Sequence, residues 1–241
     1  MQAVAREMAV SETAFLYPTA PGTFHLRWFT PLKEVRLCGH ATLAAAHILW
    51  ESGALERGET VRFDTLSGRL TAASRGDWMD MDFPARFAEP AGPPDSLIPA
   101  LLEALGVQAD YVAKTDNNVY LVQAADEASV RAMQPDFSAL SRLPLRSVVV
   151  TARAESAESV SAGYDIVSRY FAPAVGINED PVTGSAHCIL APFWSERLGK
   201  NELSAYQASA RGGSLRIAMS GKRVIISGQA VTVMVSQLLA D

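Results

Sequence analysis

The chain has 241 residues, 49% of them hydrophobic and 20% charged, with a formal net charge of -5; this is ordinary globular composition, long enough for one large domain or two small ones. The acidic balance and the lack of a basic run argue against nucleic acid and anionic membrane surfaces as partners. Two cysteines far apart, Cys38 and Cys188, make neither a disulfide framework nor a CxxC zinc site; with no signal-peptide core and no long apolar span, a cytoplasmic protein is expected.

Met1, Val4, Ala5 and Met8 fall at helical spacing, so a short amphipathic helix is expected from the first residue. Ser11-Glu12-Thr13 follow, and Ala14 to Tyr17 alternates as a strand that Pro18 should end. Phe24 to Thr30 alternates cleanly as a half-buried strand. After Leu37-Cys38-Gly39-His40, the Ala-rich run Ala41 to Trp50 has strong helix propensity. Short strands are then predicted at Thr60–Phe63, Gly68–Ala72 and Trp78–Phe83, a rhythm that suits a curving or closing sheet.

The composition shifts to Pro, Gly and Ala between Ala88 and Pro99, which marks a linker. It separates an N-terminal half, residues 1–95 joined by a returning strand within 229–241, from a C-terminal half, 96–228. In the second half, helices are predicted over Leu97–Leu105, Glu127–Met133 and Ser185–Leu198, the last closed by Gly199. Strands are predicted at Tyr111–Lys114, Asn118–Val122, Ser147–Thr151, Leu215–Met219, Arg223–Ser227 and Ala230–Val235, and Ser168–Phe171 leads to a loop over Asn178–Gly184.

A coarse two-fold repeat runs through this pattern. Each half has strands, then a loop ending in Gly plus a polar residue, then one apolar helix: Cys38-Gly39-His40-Ala41 in the first, Gly184-Ser185-Ala186-His187 in the second. Two such halves predict a cleft between them. A helix N-terminus offers unpaired N–H groups and a partial positive charge to a carboxylate or enolate oxygen, and Gly39 and Gly184 would let the backbone approach it. Plain capping, with Ser185 as an N-cap, explains either junction alone.

His40 titrates near neutrality and suits proton or hydrogen-bond donation, or simple capping. His25, His47 and His187 carry no motif signal and read as structural. Asn178 to Ser185 concentrates two acids and a hydroxyl pair, with Pro181 forcing Asp180 out of helical geometry; Asp180 can pair with a histidine or cap the loop. Glu12 alone reads as a solvated acid at a turn. Cys38 beside Gly39 at a helix start suits a thiol of lowered pKa acting as a base, but the matching position in the second junction is Thr183.

In chain order, several segments resemble the phenazine-biosynthesis (PhzF-like) isomerases, relatives of diaminopimelate epimerase and proline racemase in fold. They are Arg6 to Phe15, Phe29-Thr30-Pro31 with Leu37 to Thr42, Arg169 to Pro173, Glu179 to His187, Gln207-Ala208-Ser209 with Arg211-Gly212-Gly213, and Gly228-Gln229-Ala230. The Asp-Pro-x-Thr-Gly-Ser segment together with Ser-Glu-Thr-Ala-Phe is the specific part. The resemblance implies an α/β fold of two similar halves, each a curved, barrel-like sheet around a central helix.

It further implies a proton-transferring isomerase or epimerase with Glu12 as acid–base group, His40, Asp180 and Ser185 as its catalytic partners, and N–H groups near Gly39, Ala41, Thr183 and Gly184 holding a substrate carboxylate. The expected substrate is a small carboxylate-bearing molecule, and the expected assembly a homodimer. No metal, nicotinamide or pyridoxal is called for, and no GxGxxG, P-loop or HExxH motif is present. Partial burial should raise the Glu12 pKa toward working pH. Two alternatives stay open: a Cys38-dependent enzyme like proline racemase or hydroxyproline dehydratase, and an inactive binding scaffold. The second follows from a start at the first helix, where the family usually has a strand and a Gly-Asn-Pro loop.

Overall fold

The computed structural model describes residues 1–92 and 95–238. It is a mixed α/β fold of two units, Met1–Asp82 with Ser227–Asp241 and Phe83–Ile226.

The first unit opens with α1 (Gln2–Met8), which stops where Ala9 turns left-handed at φ 52°. Its predicted apolar stripe is not buried as a face: Ala5 is buried, while Met1 and Met8 are exposed. The helix is held instead by the Gln2 amide, which donates to the carbonyls of Thr30 and Pro31. β1 (Thr13–Ala20) and β2 (Thr23–Phe29) pair antiparallel. Pro18 does not end β1, contrary to expectation; the strand passes through it with a register shift between Pro18 and Ala20. An edge strand tolerates a residue without an N–H, and β1 ends the strand order.

Two-residue β3 (Glu34–Val35) leads from β2 to α2 (Gly39–Glu51). β4 (Val61–Thr65) then lies parallel to β2, and β5 (Gly68–Arg75) and β6 (Trp78–Pro84) extend the sheet antiparallel. The helix buries Ala41, Ala45 and Leu49 with Thr42, Ala46 and Trp50, adjacent rows at four-residue spacing, so small side chains let it lie close to the sheet.

In the second unit, the stretch expected as a linker carries β7 (Glu89–Pro90), paired with Ala113–Lys114; Pro93 and Pro94 within it lie outside the described residues. Then come α3 (Leu97–Leu105), β8 (Ala109–Lys114), β9 (Val119–Ala124), α4 (Glu127–Ala132), α5 (Phe137–Arg142), β10 (Ser147–Arg153), α6 (Ala157–Ser161), β11 (Ile166–Ala172) and β12 (Ile177–Glu179). The chain closes with α7 (Gly184–Leu198), β13 (Glu202–Gln207), β14 (Gly213–Ser220) and β15 (Arg223–Gly228). Strands β10 and β9 are parallel, and β11 and β13 are parallel across the crossover through α7. Val148, Val149 and Val150 are all fully buried, as a strand covered on both faces requires.

Pro192 stands inside α7. It has no N–H to give the Cys188 carbonyl, and that oxygen accepts instead from the Arg86 N–H at 2.9 Å. Gly199 closes the helix at φ 66°.

The pairings make the two-fold repeat concrete. In each unit an antiparallel pair (β1·β2; β10·β11) is followed by a short antiparallel strand (β3; β12), an apolar helix (α2; α7), a strand parallel to the second member (β4; β13) and its antiparallel partner (β5; β14). The last predicted strand, Ala230–Val235, is not formed. Val231, Val233, Met234 and Val235 are exposed, and Thr232 is tied to His47 and Glu51 of α2. A β-propensity pattern becomes a strand only where another backbone supplies its hydrogen bonds, and none of the described strands pairs with this segment.

Candidate functional site

The predicted residues form two clusters, one in each unit, at corresponding places in the repeat. In the first unit, Glu12 occupies the turn between α1 and β1. The antiparallel register Thr13↔Phe29 carries it beside the end of β2, where the chain leaves toward α2. Cys38 is the N-cap of α2 in extended conformation, Gly39, His40 and Ala41 form its first turn, and the Thr42 hydroxyl donates to the Cys38 carbonyl at 2.6 Å. First-turn N–H groups have no carbonyl four residues back to bind, so this turn carries donors and a positive partial charge.

One histidine nitrogen gathers the cluster. Nε2 of His40 stands 3.0 Å from Oε2 of Glu12, 3.4 Å from Oγ of Ser11 and 3.6 Å from Sγ of Cys38. The Glu12 side chain is 11% exposed and that of His40 28%, a half-open site with a mostly covered carboxylate. Burial pushes the Glu12 carboxyl upward, but the hydrogen bond and charge of His40, with contacts from Ser11 and Cys38, outweigh it and hold the group below its ordinary value. The expected rise is therefore corrected: this carboxylate is ionised at neutral pH and ready to accept a proton.

Cys38 moves the other way. Burial pushes its thiol up, against a lowering by His40, and the negative charge of Glu12 adds to the rise. The lowered thiol expected at a helix start is not found, because the same turn that offers N–H donors is closed off from water and shares its space with a carboxylate.

In the second unit, α7 begins at Gly184 with Thr183 as N-cap, so Ser185 is the second helical residue and not the cap. Asp180 Oδ2 accepts from the Thr183 hydroxyl at 2.8 Å. The Gln207 side chain locks the loop: its oxygen accepts from the Thr183 N–H at 2.7 Å, and its amide donates to the Asp180 carbonyl at 2.6 Å and the Thr183 hydroxyl at 3.1 Å. Ser209 donates to the Pro181 carbonyl. Glu179 is gripped by both arms of Arg169 at 2.8 and 2.9 Å, and Arg169 also donates to the Met133 carbonyl.

His187, one turn into α7, is fully buried with Nδ1 2.8 Å from the Thr183 carbonyl, and burial drives its pKa down to about 4. It is a neutral structural histidine. Cys188 is likewise interior, its thiol pushed up to about 12 by burial.

The structure thus brings Glu12 and His40 together with Cys38 and Ser11, and Asp180 with Thr183 and Gln207. Gly39 with Ala41 and Gly184 with Ser185 stand in the two first turns. Sequence reasoning gave Gln207, Arg169 and Ser11 no role. Gln207 ends β13, and its partners lie 24 and 27 residues away, a range over which no local pattern assigns a residue its contacts.

A family model described as phenazine biosynthesis-like protein matches residues 1–236. An uncharacterized isomerase of Halalkalibacterium halodurans is 49% identical over 240 residues, 99% of this chain and 86% of that protein. Among solved structures, a phenazine biosynthesis protein of the PhzF family from Enterococcus faecalis superposes with a TM-score of 0.85 at 39% identity, over 95% of this chain and 82% of that one. A probable proline racemase from Agrobacterium radiobacter shares the fold, with a TM-score of 0.62 at 14% identity over 100% of this chain and 81% of that one.

Proposed function

Because this chain belongs to the phenazine biosynthesis-like (PhzF) family, we propose that it is an isomerase that moves a proton between carbons of a small carboxylate-bearing substrate, with Glu12 as the acid–base group. The observation that carries the reading is the Glu12–His40 contact: a mostly buried carboxylate, ionised at neutral pH, 3.0 Å from a ring nitrogen able to pass on a proton.

In this reading the Glu12 carboxylate takes a proton from a carbon acidified by a neighbouring unsaturated or carboxylate group, and the electron pair moves into that group. The resulting Glu12 carboxylic acid returns the proton to another carbon, directly or through Nε2 of His40. First-turn N–H groups at Gly39 and Ala41 hold substrate carboxylate or developing charge.

The donor atoms of Glu12, Cys38 and His40 all lie within 4.8 Å of one another, so this cluster acts from one side of a substrate. That favours a shift in which the proton leaves and returns on the same face, over inversion at one carbon, which needs a second acid opposite the first. A Cys38-centred reaction is disfavoured by the raised thiol.

The test is to incubate small cyclic and amino-acid carboxylates with the protein in deuterated water and locate the incorporated deuterium by NMR. Label at a new carbon on the face that lost hydrogen supports the proposal. Label in both configurations at one carbon would replace it with a racemase or epimerase.

A further inference from the structure

We propose that a cavity beside the C-terminal end of α7 binds a small monocarboxylate with an apolar body. Its volume is about 420 Å³, and Arg153, Val160, Tyr164, Asp165, Leu198 and Lys200 line it; small-molecule pockets run from roughly 300 to 1,000 Å³. α7 spans 15 residues, so at about 1.5 Å each its Leu198 end lies roughly 20 Å from its first turn at Gly184. The cavity shares no group with the proposed reaction, and the two stand or fall separately.

Two cations and one acid line the cavity, and their pairing leaves one charge over. Both oxygens of Asp165 are occupied, one by the Lys200 ammonium and the other by the Ser204 N–H at 2.8 Å. Arg153 ends β10, after the buried Thr151 and Ala152, and its guanidinium has no ion-pair partner among the described residues. Its planar fork of donors matches the two oxygens of a carboxylate, and one uncompensated positive charge matches one negative charge. Inorganic phosphate brings more charge than this and no apolar surface.

The other walls suit an apolar body. Val160 is 62% exposed on the short helix α6, and Leu198 is half-buried at the end of α7. The Tyr164 side chain is fixed: its hydroxyl meets that of Ser214, and its ring centroid lies 5.2 Å from that of Tyr206. A wall already held in place loses little freedom when a ligand arrives, and covering Val160 and Leu198 removes apolar surface from water. The C-terminal end of α7 carries a partial negative charge, which turns the carboxylate toward Arg153 and leaves the apolar body toward Leu198.

Binding is read on the full chain by heteronuclear NMR, without turnover. Phenylacetate, its uncharged analogue phenylacetamide and inorganic phosphate are titrated in turn. Phenylacetate is expected to shift the backbone signals of Gly163, Tyr164 and Lys200 saturably, and the other two to bind there at least about 10-fold more weakly. Arg153→Gln should weaken phenylacetate binding by at least about 10-fold, as loss of a charge-assisted hydrogen bond does. Val160→Asp, an acid placed at an exposed position, should weaken it as well. No saturable shift at these residues, an equal response to phosphate or phenylacetamide, or full affinity in Arg153→Gln would overturn the site. Shifts confined to the neighbourhood of Glu12 and His40 would overturn it too, because they report a carboxylate bound there alone.

Discussion

The two apolar helices begin in corresponding places and are prepared in opposite ways. In both, the fourth position after the N-cap reaches back to the N-cap carbonyl: Thr42 to Cys38, His187 to Thr183. At α7 the loop before the helix is closed by Gln207, Thr183 and Ser209, and its histidine is interior and neutral. At α2 the histidine sits two positions earlier, partly exposed, against a carboxylate and a thiol. The same scaffold yields a junction locked by Gln207 in one unit and a chemically loaded junction in the other. The difference lies in which position after the cap carries the histidine.

The contrast predicts that disturbing the α7 junction costs stability, while disturbing the α2 junction costs chemistry. The largest stability effect is expected from pH. The folded-state pKa of His187 is about 4, below the unfolded value of about 6.5, so only the unfolded chain binds this proton between them. Its contribution to stability is complete above the unfolded value and declines as pH falls through the window, by on the order of 3 kcal/mol at the bottom. Urea melts at neutral and mildly acidic pH should show that slope, and His187→Gln should flatten it. An unchanged slope in the variant would move the acid sensitivity elsewhere.

Gln207→Ala comes next. It removes the partners of the Thr183 N–H and the Asp180 carbonyl in a buried loop, a cost of about 2–3 kcal/mol that thermal melting will show. Gly213→Ala should cost about 1–3 kcal/mol, because an added Cβ would collide with Val182 in the loop before α7; a neutral outcome would mean that the loop yields freely. The smallest effect belongs to the α2 junction: Cys38→Ser should shift stability by less than about 1 kcal/mol. Glu12 brings a pH limit of its own to that junction. With its folded pKa below the ordinary glutamate value of about 4.3, both its ionised form and its stabilising contribution persist above that value and fade as pH falls through the folded one.

Legibility in the sequence followed the range of the interactions. The helices at Ala41–Trp50 and Ser185–Leu198 and the paired Gly junctions are written locally, in propensity and spacing, and the fold follows from them. What depended on distant backbone was not legible. Pro18 inside β1, Glu89–Pro90 as a strand and Val231–Val235 left without one are decided by which partner strand is present. β13 was missed because Glu202–Gln207 alternates weakly, its buried positions including Ala205 and Gln207. The pKa directions at Glu12 and Cys38 required knowing that both meet at one imidazole, and residues 26 apart in sequence do not declare this. The motif resemblance singled out Glu12; its environment appeared only in the fold.

The most direct test of the account compares carbon–hydrogen exchange into deuterated water for the unaltered protein, Glu12→Gln and Cys38→Ser, using any carboxylate that the unaltered protein labels. The account predicts that Glu12→Gln lowers exchange by at least about 100-fold, as expected for loss of a general acid–base group, with little change in melting temperature, and that Cys38→Ser retains it. Exchange that survives in Glu12→Gln and disappears in Cys38→Ser would contradict the account and transfer the chemistry to the thiol.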